Sequence, residues 1–260
     1  DTVGASTLRV EHLKFNDNTS IEFDFYGKDF VRWQKTLEVS PKDAAAVENL
    51  KNFCKGKNKE DLVFDGVTSK HVNEFLGKAS KGLTAKVFRT FHATTIVKSY
   101  LDSHIKFPDE SSEFDKIYQA KLANLEAAIR CNHKRTPPKT FEQALQKKEE
   151  KLKQLRSTTP KTEKQKANLA QRIAKLERQI QLTKETKDYN LNTSLRNYID
   201  PRVYKSWADN VGLDWKVLYT GTLQRKMAWV DGSKPQKSDS PVARPVEVEV
   251  TVSPERKTTS

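Results

Sequence analysis

The chain has 260 residues, a hydrophobic fraction of 35%, and 47 Lys and Arg against 34 Asp and Glu, for a formal charge of +13. That charge favours a polyanionic partner, nucleic acid first and an acidic membrane surface second, and the low apolar content places part of the chain outside any core. No apolar run approaches the roughly 20 residues that span a bilayer, and the N-terminus carries no signal-peptide pattern, so a soluble intracellular protein is expected.

Residues 7–39 alternate in the manner of strands, through Leu8, Val10 and Leu13, then Ile21, Phe23 and Phe25, then Phe30, Val31 and Trp33. Breaks at Asn16-Asp17-Asn18 and Gly27-Lys28-Asp29 predict an antiparallel meander with Lys28 at its second turn. Ser40-Pro41 with Asp43 opens a helix carrying Val47, Leu50 and Cys54 on one face. Thr68 or Ser69 caps a short helix with Val72, Phe75 and Leu76. Thr84 caps another through Val87, Phe88, Phe91, Ile96, Val97 and Tyr100. Ser112 with Asp115 opens a fourth, through Ile117, Tyr118, Leu122, Leu125 and Ile129, and this helical cluster is the expected core.

From Phe141 to about Lys187 the pattern changes. Phe141, Leu145, Lys148, Leu152 and Leu155 step by four and three, as do Leu169, Ile173, Leu176 and Ile180, with Ser157-Thr158-Thr159-Pro160 between the runs. An antiparallel helical hairpin with a narrow apolar seam, projecting from the body, is expected. It holds 13 basic residues and 6 acidic, which suits either a solvated coiled coil or a face turned to DNA. A terminal globule with Trp207, Trp215, Leu218, Tyr219 and Trp229 follows, and from Asp231 the chain reads as a disordered tail. The expected domains are a catalytic core over 1–140, a hairpin linker over 141–187, a tyrosine-bearing region over 188–230 and a tail over 231–260.

Several chemistries find no support in the residues. Cys54 and Cys131 are far apart with no CxxC spacing, and His12, His71, His92, His104 and His133 form no ligand pair, so no metal site is expected. There is no P-loop and no dinucleotide-binding glycine pattern, so no cofactor is expected.

Certain segments, in order, do carry a signal. Asp1-Thr2-Val3-Gly4 precedes Ser6-Thr7-Leu8-Arg9-Val10-Glu11-His12, and Glu22 to Asp29 reads EFDFYGKD. Leu83 to Thr90 reads LTAKVFRT, Cys131-Asn132-His133 is followed by Pro137-Pro138-Lys139-Thr140, and Thr193-Ser194 leads to Asn197-Tyr198 and Asp200-Pro201-Arg202. These resemble, in the family's order and over roughly residues 1–230, the catalytic regions of eukaryotic-like type IB DNA topoisomerases. The resemblance implies a mainly α, α+β catalytic fold shared with tyrosine recombinases. It implies Tyr198 as nucleophile, Arg89 and His133 as transition-state donors, Lys28 as general acid, and Lys86, Asp29 and Asn197 as DNA contacts. Double-stranded DNA is then the partner, relaxed without ATP or metal through a 3′-phosphotyrosine.

The chain departs from the family's pattern at Leu195, where a lysine is usual, and in a hairpin shorter than the animal linker. The family's first catalytic arginine and its DNA-clamping cap belong upstream of Asp1, so an upstream region, on the same or a separate chain, is an expected partner. The location is nuclear for a eukaryotic source and nucleoid for an archaeal one. A tyrosine recombinase is the nearest alternative, but there the helix usually reads His-x-x-Arg, whereas Lys86 precedes Arg89 here. A non-catalytic DNA-binding scaffold is the other alternative.

Overall fold

The computed structural model describes residues 2–16, 20–27, 30–108 and 111–232. Lys28 and Asp29, at the expected second turn of the meander, lie outside the described residues, as does the tail from 233 onward.

Three strands, β1 (Leu13–Asn16), β2 (Ser20–Tyr26) and β3 (Arg32–Glu38), form an antiparallel sheet in the order β1-β2-β3. Leu13 pairs with Phe23, and Phe25 with Trp33, whose rings sit 5.1 Å apart. Leu8 and Val10 were expected in a strand, but Ala5–Thr7 and Val10–His12 are short 3-10 turns. The cause is local: the Arg9 amide donates to His12 Nδ1 at 3.0 Å, closing a turn that an extended backbone cannot make. Leu8 is nonetheless buried, and its carbonyl accepts from the Val63 amide.

Nine α-helices follow among the described residues: α1 (Ala44–Cys54), α2 (Ser69–Ala79), α3 (Ala85–Asp102), α4 (Glu113–Arg130), α5 (Phe141–Arg156), α6 (Glu163–Glu185), α7 (Leu191–Asn197), α8 (Pro201–Val211) and α9 (Gly221–Lys226). Thr68 caps α2 through its hydroxyl, and Ser112 with Asp115 forms a reciprocal capping box on α4. Helix α1 starts later than Ser40-Pro41 suggests, because Asp43 and not Ser40 occupies the cap position.

The core lies where α3, α4, α7 and α8 meet the C-terminal turns. Ala93, Val97 and Leu101 of α3 face Ala120, Ala123 and Ala127 of α4, all of them buried. Alanines at the crossing let the two helices approach closely, and the fully buried Val97 and Leu101 each contribute about 1.5–3 kcal/mol by leaving water. The bulky residues expected to fill this core do not: Phe75, Phe88 and Phe91 are 72%, 45% and 62% exposed. They occupy α2 and the first half of α3, before the point where α3 meets α4.

Helix α8 brings Tyr204 and Trp207 into the same core, the Tyr204 hydroxyl donating to the Ala120 carbonyl at 3.2 Å and Trp207 Nε1 to the His104 carbonyl at 3.0 Å. Helices α5 and α6 share a separate seam of Leu145, Leu155, Leu176 and Ile180. Arg156 to Glu177 and Lys184 to Glu149, each at 2.7 Å, tie the pair across its seam. Helix α6 also lies against α4, with Arg178 on Asp115 at 3.1 Å and the Tyr118 hydroxyl donating to Glu185 at 3.1 Å. Burial first, and then the Glu185 charge, push the Tyr118 phenol up to about 12. Asp231, expected to open the tail, instead lies in the 3-10 turn Ala228–Gly232, where it accepts from Trp215 Nε1 at 2.9 Å and pairs with Lys216. No helix among the described residues is long and apolar enough to cross a membrane.

Candidate active site

His133 is placed by the way α4 stops. Asn132 adopts φ 54°, its amide donates to the Ile129 carbonyl at 3.0 Å, and the His133 amide donates to the Ala128 carbonyl at 2.9 Å. This double closure ends the helix in a left-handed residue, a conformation that asparagine tolerates better than other residues with a β-carbon. Beyond it, the His133 carbonyl accepts from the Asn190 amide at 2.8 Å and the Arg135 amide donates to Asp188 at 2.9 Å. The chain entering the hairpin is thereby pinned to the chain leaving it, and α7 begins beside His133.

Tyr198 stands at the other end of α7, on the link to α8. Its amide donates to the Ser194 carbonyl at 2.9 Å, and the Ile199 amide donates to the same oxygen at 3.2 Å. Asp200 caps α8, accepting from the Arg202 amide at 2.9 Å, and Pro201 fills the first helical position. Burial pushes the Asp200 carboxyl up, but hydrogen bonds and charge from Arg202 outweigh it and hold the group below the usual carboxylate range. Thr94 of α3 holds both sides of the link, its hydroxyl donating to the Tyr198 carbonyl at 3.4 Å and accepting from the Asp200 amide at 3.1 Å.

The same helix presents Arg89, whose guanidinium carbon lies 5.4 Å from the centre of the Tyr198 ring. On that ring His133 also stacks, with centroids 5.3 Å apart and planes 25° from parallel. Burial pushes the Cys131 thiol up, and the charges of Arg89 and Arg130 offset this only in part. The His133 Nδ1 is 2.8 Å from the hydroxyl of Ser194, a fully buried residue. Three of the residues named from the sequence thus meet at one place, Arg89 from α3, His133 from the segment after α4 and Tyr198 from the link between α7 and α8. Lys86 and Asn197 are exposed, on the first turn of α3 and the last residue of α7. Thr94 and the side chain of Ser194 were missed; their partners are 104 and 61 residues away, and neither residue type advertises such a role.

A phenol flanked by an imidazole and a guanidinium is equipped to attack an anionic electrophile such as a phosphodiester, with positive charge and hydrogen-bond donors at the point where negative charge grows. Comparison with known proteins gives the family. Residues 1–167 match the family described as eukaryotic DNA topoisomerase I, catalytic core, and residues 170–237 match the C-terminal topoisomerase domain. DNA topoisomerase 1 of Rattus norvegicus and of Homo sapiens are each 34% identical, over 88% of this chain and 33% of theirs. The Drosophila melanogaster protein of the same name is 33% identical over 88% of this chain and 25% of its own length. The chain belongs to the eukaryotic DNA topoisomerase I family, and it spans about a third of the length of the mammalian relatives it matches.

Proposed function

We propose that this chain is the tyrosine-bearing part of an enzyme that relaxes supercoiled DNA by cutting and resealing one strand. The observation that carries the reading is the convergence of Arg89 and His133 on the Tyr198 ring, at 5.4 and 5.3 Å. In the proposed reaction the Tyr198 oxygen gives up its proton to water and attacks phosphorus, forming a 3′-phosphotyrosyl bond as the bond to the 5′-oxygen breaks. The 5′-oxygen leaves as a hydroxyl, taking a proton from Lys28. Religation is the reverse, so the phosphodiester energy is stored on the enzyme and neither ATP nor a metal is required. Arg89 and His133 stabilise the charge on the non-bridging oxygens, where a lost donor typically costs a factor of about 10² to 10³.

Double-stranded DNA is the proposed partner, and an upstream region supplies a further arginine and the opposing side of the clamp. The proposed organisation keeps a core to about residue 140, a hairpin linker to about 187 and a tyrosine-bearing region after it. A nuclear location follows for a eukaryotic source.

The test is plasmid relaxation in EDTA without ATP, using the chain together with its upstream region. Relaxation at many sites is expected; exchange confined to one sequence points to a recombinase, and binding alone to a scaffold. The role of Lys28 has its own check: Lys28→Ala slows cleavage of ordinary DNA far more than cleavage of DNA bearing a 5′-bridging sulfur, whose thiolate leaves without a proton. Equal slowing on both substrates removes Lys28 from that role.

A further inference from the structure

Ser194 belongs to the segment that resembles a nucleophile motif, yet no role attaches to its side chain. The residue is fully buried, and its carbonyl already receives the amides of Tyr198 and Ile199. Its hydroxyl lies 2.8 Å from His133 Nδ1, and no other hydrogen bond of that hydroxyl is found among the described residues. One buried residue therefore grips the backbone of the nucleophile and the ring of its neighbour.

We propose that Ser194 is a positioning residue that fixes the tautomer of His133, its hydroxyl donating to Nδ1 so that the imidazole carries its proton on Nε2. A hydroxyl holds one proton and two lone pairs, and the opposite arrangement, Nδ1–H donating to Oγ, strands the hydroxyl proton in the interior. With no other acceptor in reach among the described residues, the serine proton belongs on Nδ1. The neutral ring then keeps a donor on the nitrogen away from Ser194, the form needed to meet a non-bridging phosphate oxygen without first taking up a proton. The turn at Asn132 sets the position of the His133 backbone and the Ser194 hydroxyl sets the ring, so the stacking on Tyr198 follows from both. This inference rests on the topoisomerase reading for its catalytic meaning but not for the hydrogen bond itself.

Two measurements test it. In the chain labelled with ¹⁵N-histidine, the His133 signals, identified by their loss in His133→Gln, report the tautomer directly. The Nε2–H form is expected in the parent and a mixture in Ser194→Ala; an Nδ1–H parent, or a tautomer indifferent to Ser194→Ala, overturns the proposal. The second measurement is single-turnover cleavage of a suicide DNA duplex by the chain combined with its upstream region. Ser194→Ala is expected to slow it about five- to tenfold, the size of one neutral hydrogen bond, and Ser194→Thr to recover most of the rate. In a His133→Gln background Ser194→Ala has no further effect; equal slowing in both backgrounds assigns Ser194 a purely structural part and overturns the proposal. A parent that forms no covalent adduct overturns the topoisomerase reading, and the tautomer measurement separates that failure from failure of the hydrogen bond.

Discussion

At Asn132 the backbone enters the left-handed region, with φ 54°, and the next residue is His133. Replacement by glycine relieves the steric cost, and Asn132→Gly is expected to lie within about 0.5 kcal/mol of the parent in urea unfolding. Asn132→Ala keeps a β-carbon without the asparagine side chain and is expected to lose about 1 kcal/mol. Similar stability of the two variants contradicts this account of the turn. At Asp200 the sign of the pH dependence follows from the depressed carboxyl. Its stabilisation is full above the ordinary aspartate value of about 3.9 and drains away as pH falls through the lowered value. Asp200→Ala is therefore expected to cost about 1 kcal/mol at neutral pH, and the gap to the parent to close in acid. A gap that widens below pH 4 refutes it. The grouping of Tyr198, His133 and Arg89 was legible only through the ordered resemblance of several segments to a known family, since none of the three residues stands out alone. Ser194 and Thr94 act through contacts made only by folding, which no local pattern encodes.

The helical pair α5 and α6 has an apolar seam of its own, separate from the main core, and meets the body along α4 through Arg178–Asp115 and Tyr118–Glu185. Leu176 is buried at that seam and touches neither α3 nor α8 among the core residues. Leu176→Ala is expected to cost about 2 kcal/mol, at the low end for a leucine truncation because the site borders solvent. Amide exchange is expected to quicken along α5 and α6 while α3 and α8 keep their protection. A matching rise in α3 and α8 contradicts this separation. The steps of four and three that mark the seam survive in the sequence because large apolar residues carry them. Helix α3 was misread for the opposite reason: its contact with α4 is made largely by alanines, while its phenylalanines face outward. The turns at Ala5–Thr7 and Val10–His12 were missed because side-chain acceptors, Thr7 Oγ1 for the Gly4 amide and His12 Nδ1 for the Arg9 amide, and not the apolar alternation, decide the backbone there.

Across the whole molecule, Arg89 and His133 precede the hairpin in sequence and Tyr198 follows it, and the segments either side of the hairpin are pinned together. His133 leaves α4 just before α5, Tyr198 follows α7 just after α6, and the backbone bonds from His133 to Asn190 and from Arg135 to Asp188 join the two. The formal charge of +13 over the whole sequence favours a polyanionic partner. The central claim is that Tyr198 becomes covalently bonded to a DNA 3′-phosphate, and its most direct test is to trap and map that bond. The chain and its upstream region are incubated with a duplex bearing a 5′-bridging sulfur, whose released thiol cannot readily reseal, and the adduct is digested and sequenced by mass spectrometry. The account predicts one nucleotidyl peptide, with the DNA attached through its 3′-phosphate to Tyr198, and no adduct in Tyr198→Phe. An adduct on another residue, a 5′-linkage, or an adduct that survives Tyr198→Phe would contradict it.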